Sequence, residues 1–236
     1  MKVYTIKYYF KSNRGQLVPI NYRSNLTSFL HNKILKNDPE IHNDVSLYSI
    51  SDLFNSTKTV DNKLEFNNGA IWLIRTPSVE VFKTIYLNSK NVISSDFGFG
   101  LTLDDVSYSV DDFQDKIYDI SLNTSPVFLG NNRDSEVRDH ITYKHGIELT
   151  STHLKRILKN KASKLGVNLD DRDFDLYFDE NKNINVKPVK YKNILNFTTK
   201  GSLKFKGDGE VLSLIYGLGL GLSTGCGFGF CFNIKL

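Results

Sequence analysis

An α+β fold made of two consecutive strand–helix–strand–strand–helix–strand units is predicted by three features of the sequence. Apolar residues alternate with polar ones where each half begins, and apolar residues recur at helical spacing after each such segment. The element order of the first 120 residues then returns in the remainder. That order is the split βαβ, ferredoxin-like unit. Two of them, over residues 1–120 and 121–236, give tandem ferredoxin-like (RRM-like) βαββαβ domains whose sheets form an open platform.

In the first unit, Tyr4, Ile6, Tyr8 and Phe10 define an amphipathic strand. Ser24 opens a helix with Leu26, Phe29, Leu30 and Ile34 on one face. Asn37-Asp38-Pro39 ends it and starts another turn, with Asp38 expected as N-cap and Pro39 at the first helical position. Leu47–Phe54 and Leu64–Arg75 read as strands. Thr76-Pro77-Ser78 opens a helix with Phe82, Ile85 and Tyr86 inward, and the β-prone Phe97–Val110 closes the sheet.

In the second unit Tyr118–Phe128 reads as a strand, and Thr150 is expected to cap a helix bearing Leu154, Ile157, Leu158 and Leu165. Phe174–Phe178 and Ile184–Lys192 are expected to pair as a hairpin across Asp179–Asn183, and Leu203–Phe205 continues the sheet. A helix from about Glu210 to Tyr216 and a strand through Phe228, Phe230, Phe232 and Ile234 complete the unit.

Hydrophobic content of 40% and charged content of 24% are those of a soluble globular protein. No apolar run approaches the roughly 20 residues of a membrane-spanning helix. The amino terminus reads as a strand, not a signal peptide, so a cytoplasmic location is expected. Cys226 and Cys231 are too few for a four-ligand zinc site and are expected to be buried and reduced. The net charge of +4 is unevenly spread: seven aspartates against one lysine from Asp96 to Asp119, then seven lysines and no acid from Lys182 to Lys206. Such a basic ribbon suits a nucleic-acid face, with a plain solvated surface as the alternative.

Glycine occupies every second position from Gly217 to Gly221 and again from Gly225 to Gly229. Glycine gives up more backbone freedom on folding than other residues, so such a run persists where backbone must approach something closely, a ligand or another chain. A dinucleotide fingerprint or P-loop has a strand before its glycines and a helix after them. Here the order is reversed, which removes both. A glycine-rich hairpin without a ligand remains the plain alternative.

Gly219-Leu-Gly221, five residues, then Gly227-Phe-Gly229 resembles the C-terminal glycine signature of the CRISPR repeat-processing endoribonucleases of the RAMP superfamily. The resemblance extends to the flanking helix and strand and to the tandem arrangement. It implies a loop lying on RNA backbone, with Gly219, Gly221, Ser223, Thr224, Gly227 and Gly229 as RNA-binding residues. It also implies metal-independent, cofactor-free cleavage of a precursor transcript into guide RNAs. In that reaction a 2′-hydroxyl attacks the next phosphate and leaves a 2′,3′-cyclic phosphate.

Histidine suits the proton transfers because its ordinary pKa, about 6.5, is near neutrality. The family's essential histidine follows the first helix, and His42 in Pro39-Glu-Ile-His-Asn43 matches that place. Its second catalytic residue comes from the first helix, where His31 in Phe29-Leu-His-Asn32 matches. Lys33 is the candidate phosphate stabiliser. Read without the resemblance, both histidines are ordinary surface residues. Family members often carry lysine or arginine between the glycine pairs, whereas Leu222-Ser-Thr-Gly-Cys226 has neither. The positive charge is therefore assigned to Lys187, Lys190 and Lys192 and to a helix with Lys155, Arg156 and Lys159, whose basic face is equally explained by solvation.

The partners implied are CRISPR repeat RNA and the crRNA product, further subunits of an interference complex, and a second copy of the chain. Two rivals are a non-catalytic RNA-binding subunit of the same superfamily and a metabolite-binding tandem ferredoxin-like regulator.

Overall fold

The computed structural model describes residues 1–12, 15–43, 45–131 and 140–232. Chain order in the first half is β1 (Lys2–Ser12), β2 (Gln16–Pro19), α1 (Arg23–Phe29), a π-turn (Leu30–Ile34), α2 (Glu40–Asn43), β3 (Ser49–Ile50), β4 (Lys58–Val60), β5 (Lys63–Phe66), β6 (Ala70–Thr76), α3 (Val79–Lys90), β7 (Asp96–Gly98) and β8 (Leu101–Asp112). The second half has β9 (Ile117–Asn123), a 3-10 turn (Tyr143–His145), α4 (Ile147–Lys164), β10 (Asp175–Phe178), β11 (Asn185–Tyr191), β12 (Ile194–Lys200), β13 (Ser202–Asp208), α5 (Gly209–Leu218) and a 3-10 turn (Thr224–Cys226).

The first sheet runs β3-β6-β1-β8-β7, antiparallel throughout, with Ile6 opposite Ile74 on one side and Tyr108 on the other. With β7 set aside this is the ferredoxin-like strand order. Period-two alternation buries Ile6, Tyr8 and Phe10, and α1, the π-turn and α3 cover that face with Leu26, Leu30, Phe82 and Ile85. Ser78 caps α3 by accepting from the Val81 amide at 3.2 Å, as the Thr-Pro-Ser sequence predicts. The small β2-β5-β4 sheet is an insertion beside it.

The second sheet runs β10-β13-β9, packed under α4 and α5 through Leu154, Leu158, Leu176, Phe205, Leu212 and Ile215. Among the described residues its fourth strand shows one bridge, Thr124 to Cys231, although a full strand was expected from Phe228 onward. Ile234 of that expected strand lies outside the described residues. The fold is the tandem ferredoxin-like α+β architecture.

Four local expectations are corrected. β10 pairs with β13, and the hairpin joins β11 to β12 instead, with Val189 opposite Asn196. β11 and β12 are consecutive and joined by a tight turn, so they form the local pair and leave β10 to the central strand β13. Thr150 lies inside α4, where its hydroxyl donates to Gly146 O and Ile147 O, so the helix begins three residues earlier. The Asp38 carboxylate accepts from Asn88 Nδ2 of α3 at 2.9 Å, a tertiary contact. The strand expected over Leu47–Phe54 contracts to β3 and a single bridge from Phe54 to Ile71.

Candidate active site

The glycine loop leaves α5 at Leu218 and folds back on itself. The Leu220 amide donates to Gly229 O at 2.8 Å, Leu222 to Phe128 O at 2.7 Å, and Gly229 to Pro126 O at 3.0 Å. A Cβ on Gly229 would stand 1.7 Å from Leu220 O, and one on Gly221 would stand 2.4 Å from Phe128 O; both residues have positive φ. The close approach that demands glycine is therefore to the chain's own backbone. Gly219, Gly221, Gly227 and Gly229 are all buried, whereas Leu222 and Ser223 are exposed. Thr224 is also buried: its hydroxyl donates to Tyr48 O at 3.0 Å and accepts from Lys161 Nζ at 2.9 Å. Of the loop residues assigned to RNA, Ser223 is the one at the surface.

The loop's 3-10 turn rests against α1 and β3 of the first unit. There Tyr48, Tyr191 and Cys226 form a polar wall. The Tyr191 hydroxyl lies beside the Cys226 thiol and Thr27, and Tyr48 lies beside Ser46. Gly225 is fitted to this wall, since a Cβ would fall 2.7 Å from Ser46 Oγ. Burial, followed by the neighbouring Cys226 and Tyr191, pushes the Tyr48 phenol well up, so it stays protonated at neutral pH.

His31 stands at the edge of this wall. The Leu35 amide reaches back five residues to Leu30 O at 2.8 Å, inserting a π-turn of the kind that recurs at functional sites. Half-buried His31 places Nε2 3.2 Å from Tyr48 Oη. Sequence reasoning did not find Tyr48, whose only signal is a tyrosine entering a strand. Lys33 is exposed and lines a separate hollow of about 200 Å³ with Asn25, Asn32 and Asp96. His42 falls on α2, between the π-turn and β3, with its side chain outside the described residues.

The basic residues divide into two groups. On α4, Lys159 pairs with Asp170 at 3.2 Å, Lys155 lies 3.9 Å from Asp175 and over the Phe174 ring, and Arg156 meets His153 Nδ1 at 3.0 Å. Its positive face is thus partly neutralised by the chain's own carboxylates. On the β11–β12 hairpin, Lys187, Lys190 and Lys192 are exposed, beside the exposed apolar Ile194, Leu195 and Phe197. Lys187 and Lys190 line a groove of about 360 Å³ with Tyr22, Arg23 and Asp52. Partial burial, then the charges of Lys200 and Arg23, lower the Lys187 pKa. Such crowding of like charge at a groove favours an anionic occupant.

A second cleft, about 770 Å³, lies between the outer face of the first sheet and the C-terminal segment, lined by Lys7, Tyr9, Arg75, Tyr216 and Phe232 among others. Arg75 is buried in its wall with the guanidinium 3.7 Å from the Tyr216 ring and 4.5 Å from that of Phe230, and donates to Cys231 O.

Two ferredoxin-like units closed by a C-terminal glycine loop define the class of fold to which the chain belongs. A family model described as CRISPR associated protein Cas6, C-terminal, matches residues 110–233, and the chain belongs to that family. A solved structure described as the CRISPR RNA processing endoribonuclease Cas6b superposes with a TM-score of 0.55 at 17% identity, covering 99% of this chain and 100% of that one. A solved structure described as CRISPR associated protein Cas6 superposes with a TM-score of 0.79 at 17% identity, covering 99% of this chain and 100% of that one. One described as a RAMP protein binding different RNA substrates gives 0.77 at 17%, covering all of both chains. A Cas6-related protein from Pyrococcus furiosus gives 0.76 at 19%, covering 100% and 98%. At these identities the superpositions establish the fold. Comparison with curated proteins gives no match.

Proposed function

We propose that this chain is a metal-independent endoribonuclease that binds CRISPR repeat RNA and cuts the precursor transcript into guide RNAs. The observation that carries the reading is the π-turn holding His31 against Tyr48 beside the glycine loop. On this reading residues 1–120 supply the histidines and residues 121–236 the loop and the basic hairpin.

The chemistry needs a base, an acid and a cation. His42 takes the proton of the ribose 2′-hydroxyl as its oxygen attacks the adjacent phosphorus. His31, oriented by the Tyr48 hydroxyl, protonates the departing 5′-oxygen. The P–O5′ bond breaks as the new P–O2′ bond forms, leaving a 2′,3′-cyclic phosphate and a free 5′-hydroxyl. The phosphate charge is left to Lys33, which lies on the same π-turn as His31 but opens on a separate hollow. Lys187, Lys190 and Lys192 steer the RNA, with Arg156 and Ser223 as outlying contacts; Lys155 and Lys159 join them only by releasing their carboxylates.

Repeat RNA incubated with the protein and EDTA tests this by its end groups. The expected products carry a cyclic phosphate and a 5′-hydroxyl, and a 2′-deoxy nucleotide just upstream of the cut blocks the reaction. Binding without any cut would instead make the chain a non-catalytic RNA-binding subunit of an interference complex.

A further inference from the structure

The sequence places Lys161 among the lysines of a solvated helix face, yet it is 3% exposed. From α4 its Nζ reaches Leu218 O at 3.2 Å and Thr224 Oγ1 at 2.9 Å. Leu218 is the last residue of α5, where carbonyl groups lack intrahelical partners and the helix dipole favours a cation. Thr224 lies in the 3-10 turn on the far side of the glycine loop's first arc. One amine therefore ties the start of the arc to its end.

The hydrogen bonds continue across the domain interface in a consistent direction. Thr224 Oγ1 donates its proton to Tyr48 O at 3.0 Å, leaving a lone pair for the lysine N–H. At the other end of the same tyrosine, Oη meets His31 Nε2 at 3.2 Å. Among the described residues no carboxylate pairs with Lys161. Burial lowers its pKa to about 7, so ammonium and amine are both populated near neutrality, and either supplies the two N–H bonds. A buried amine without an acid is costly, and a methionine would fill the same space without that cost.

Resting on the endoribonuclease reading above, we propose that Lys161 is a positioning residue for RNA cleavage. It pins the glycine loop and, through Thr224 and Tyr48, fixes where His31 stands. It touches no RNA; it acts by geometry, and small displacements of an acid–base group are costly to rate.

The test compares Lys161→Met, Thr224→Val and the double variant. Single-turnover cleavage of repeat RNA is read beside affinity for the 2′-deoxy RNA and hydrogen exchange of the loop amides from Gly219 to Gly227. We expect the rate to fall about tenfold to a hundredfold in either single variant. Affinity should stay within about twofold, and the double variant should be no slower than the worse single one. Loop amides should exchange faster while those of α4 hold. An unchanged rate in folded Lys161→Met overturns the proposal, as does an equal fall in rate and affinity. Should Lys161→Met fail to fold, Thr224→Val, which keeps the bond to Leu218 O, decides by the same criteria. If the unsubstituted protein does not cut, the endoribonuclease reading fails and the catalytic role of Lys161 with it; loop exchange then reports on the pinning alone.

Discussion

Arg23 clasps Asp52 through two bonds of 2.7 Å, Nε to Oδ1 and Nη2 to Oδ2, while its guanidinium reaches the Phe228 ring of the glycine loop at 5.6 Å. A bidentate pair of this kind fixes orientation as well as charge. It links the first residue of α1, the stretch after β3 and the loop of the second unit.

Removing one partner of this clasp leaves the other charge largely desolvated. Asp52→Asn is expected to lower stability by about 2 kcal/mol, less than for a fully buried pair because 31% of the Asp52 side chain is exposed. Urea unfolding of Asp52→Asn, Arg23→Met and the double variant checks this. The double variant should recover part of the single losses.

The two histidines separate chemistry from binding. His42→Ala should slow cleavage at least about a hundredfold with RNA affinity nearly intact, and His31→Ala should behave alike. Tyr48→Phe removes only the hydroxyl that meets His31 and should cost about tenfold. Full activity of His42→Ala would remove that residue from the mechanism.

Gly229→Ala places a methyl group 1.7 Å from Leu220 O at a φ of +61°. Neither backbone can yield without losing the Leu220–Gly229 bond, so a loss of about 3 kcal/mol is expected. Ser223→Ala, at the exposed turn, should leave the melting temperature unchanged and weaken RNA binding slightly. Equal melting temperatures for the two variants would contradict the packing role of the loop.

Lys161 also predicts a stability change with pH. Its folded pKa of about 7 lies below the ordinary lysine value of about 10.4. Between these values the unfolded chain holds a proton that the folded chain does not, so stability rises with pH across that window. Below pH 7 the penalty for a buried charge is fully present. The rise amounts to a few kcal/mol at 1.4 kcal/mol per unit. Lys161→Met should remove this contribution, which unfolding curves at pH 7 and pH 10 would detect.

Strong periodicity made much of this legible in the sequence. Residues 4 to 10 alternate cleanly, and α1 and α3 carry unbroken apolar faces, so the first unit could be read directly. β10 and β11 are near neighbours in sequence and alike in pattern, yet β10 pairs with the more distant β13 while β11 takes its immediate successor β12. The glycine run was readable as close approach, but not which surface it approached. Thr224 was read as an RNA contact and is instead buried on Tyr48 and Lys161, while Lys161, a lysine among lysines, was hidden by composition. A helical wheel did hold the clue: Lys161 follows Leu154 and Leu158 at seven and three residues, on the apolar stripe. The π-turn has no sequence signature, so His31 was found through resemblance and Tyr48 was not found at all.

The arc from Leu218 to Gly229 belongs by sequence to one unit but takes part of its cover from the other, through Arg23, Ser46 and Tyr48. Neither half can shed that cover without breaking the Thr224–Tyr48 bond and uncovering the loop's packed backbone. Unfolding of the two halves is therefore expected in a single all-or-none step, with both losing their signal at the same denaturant concentration.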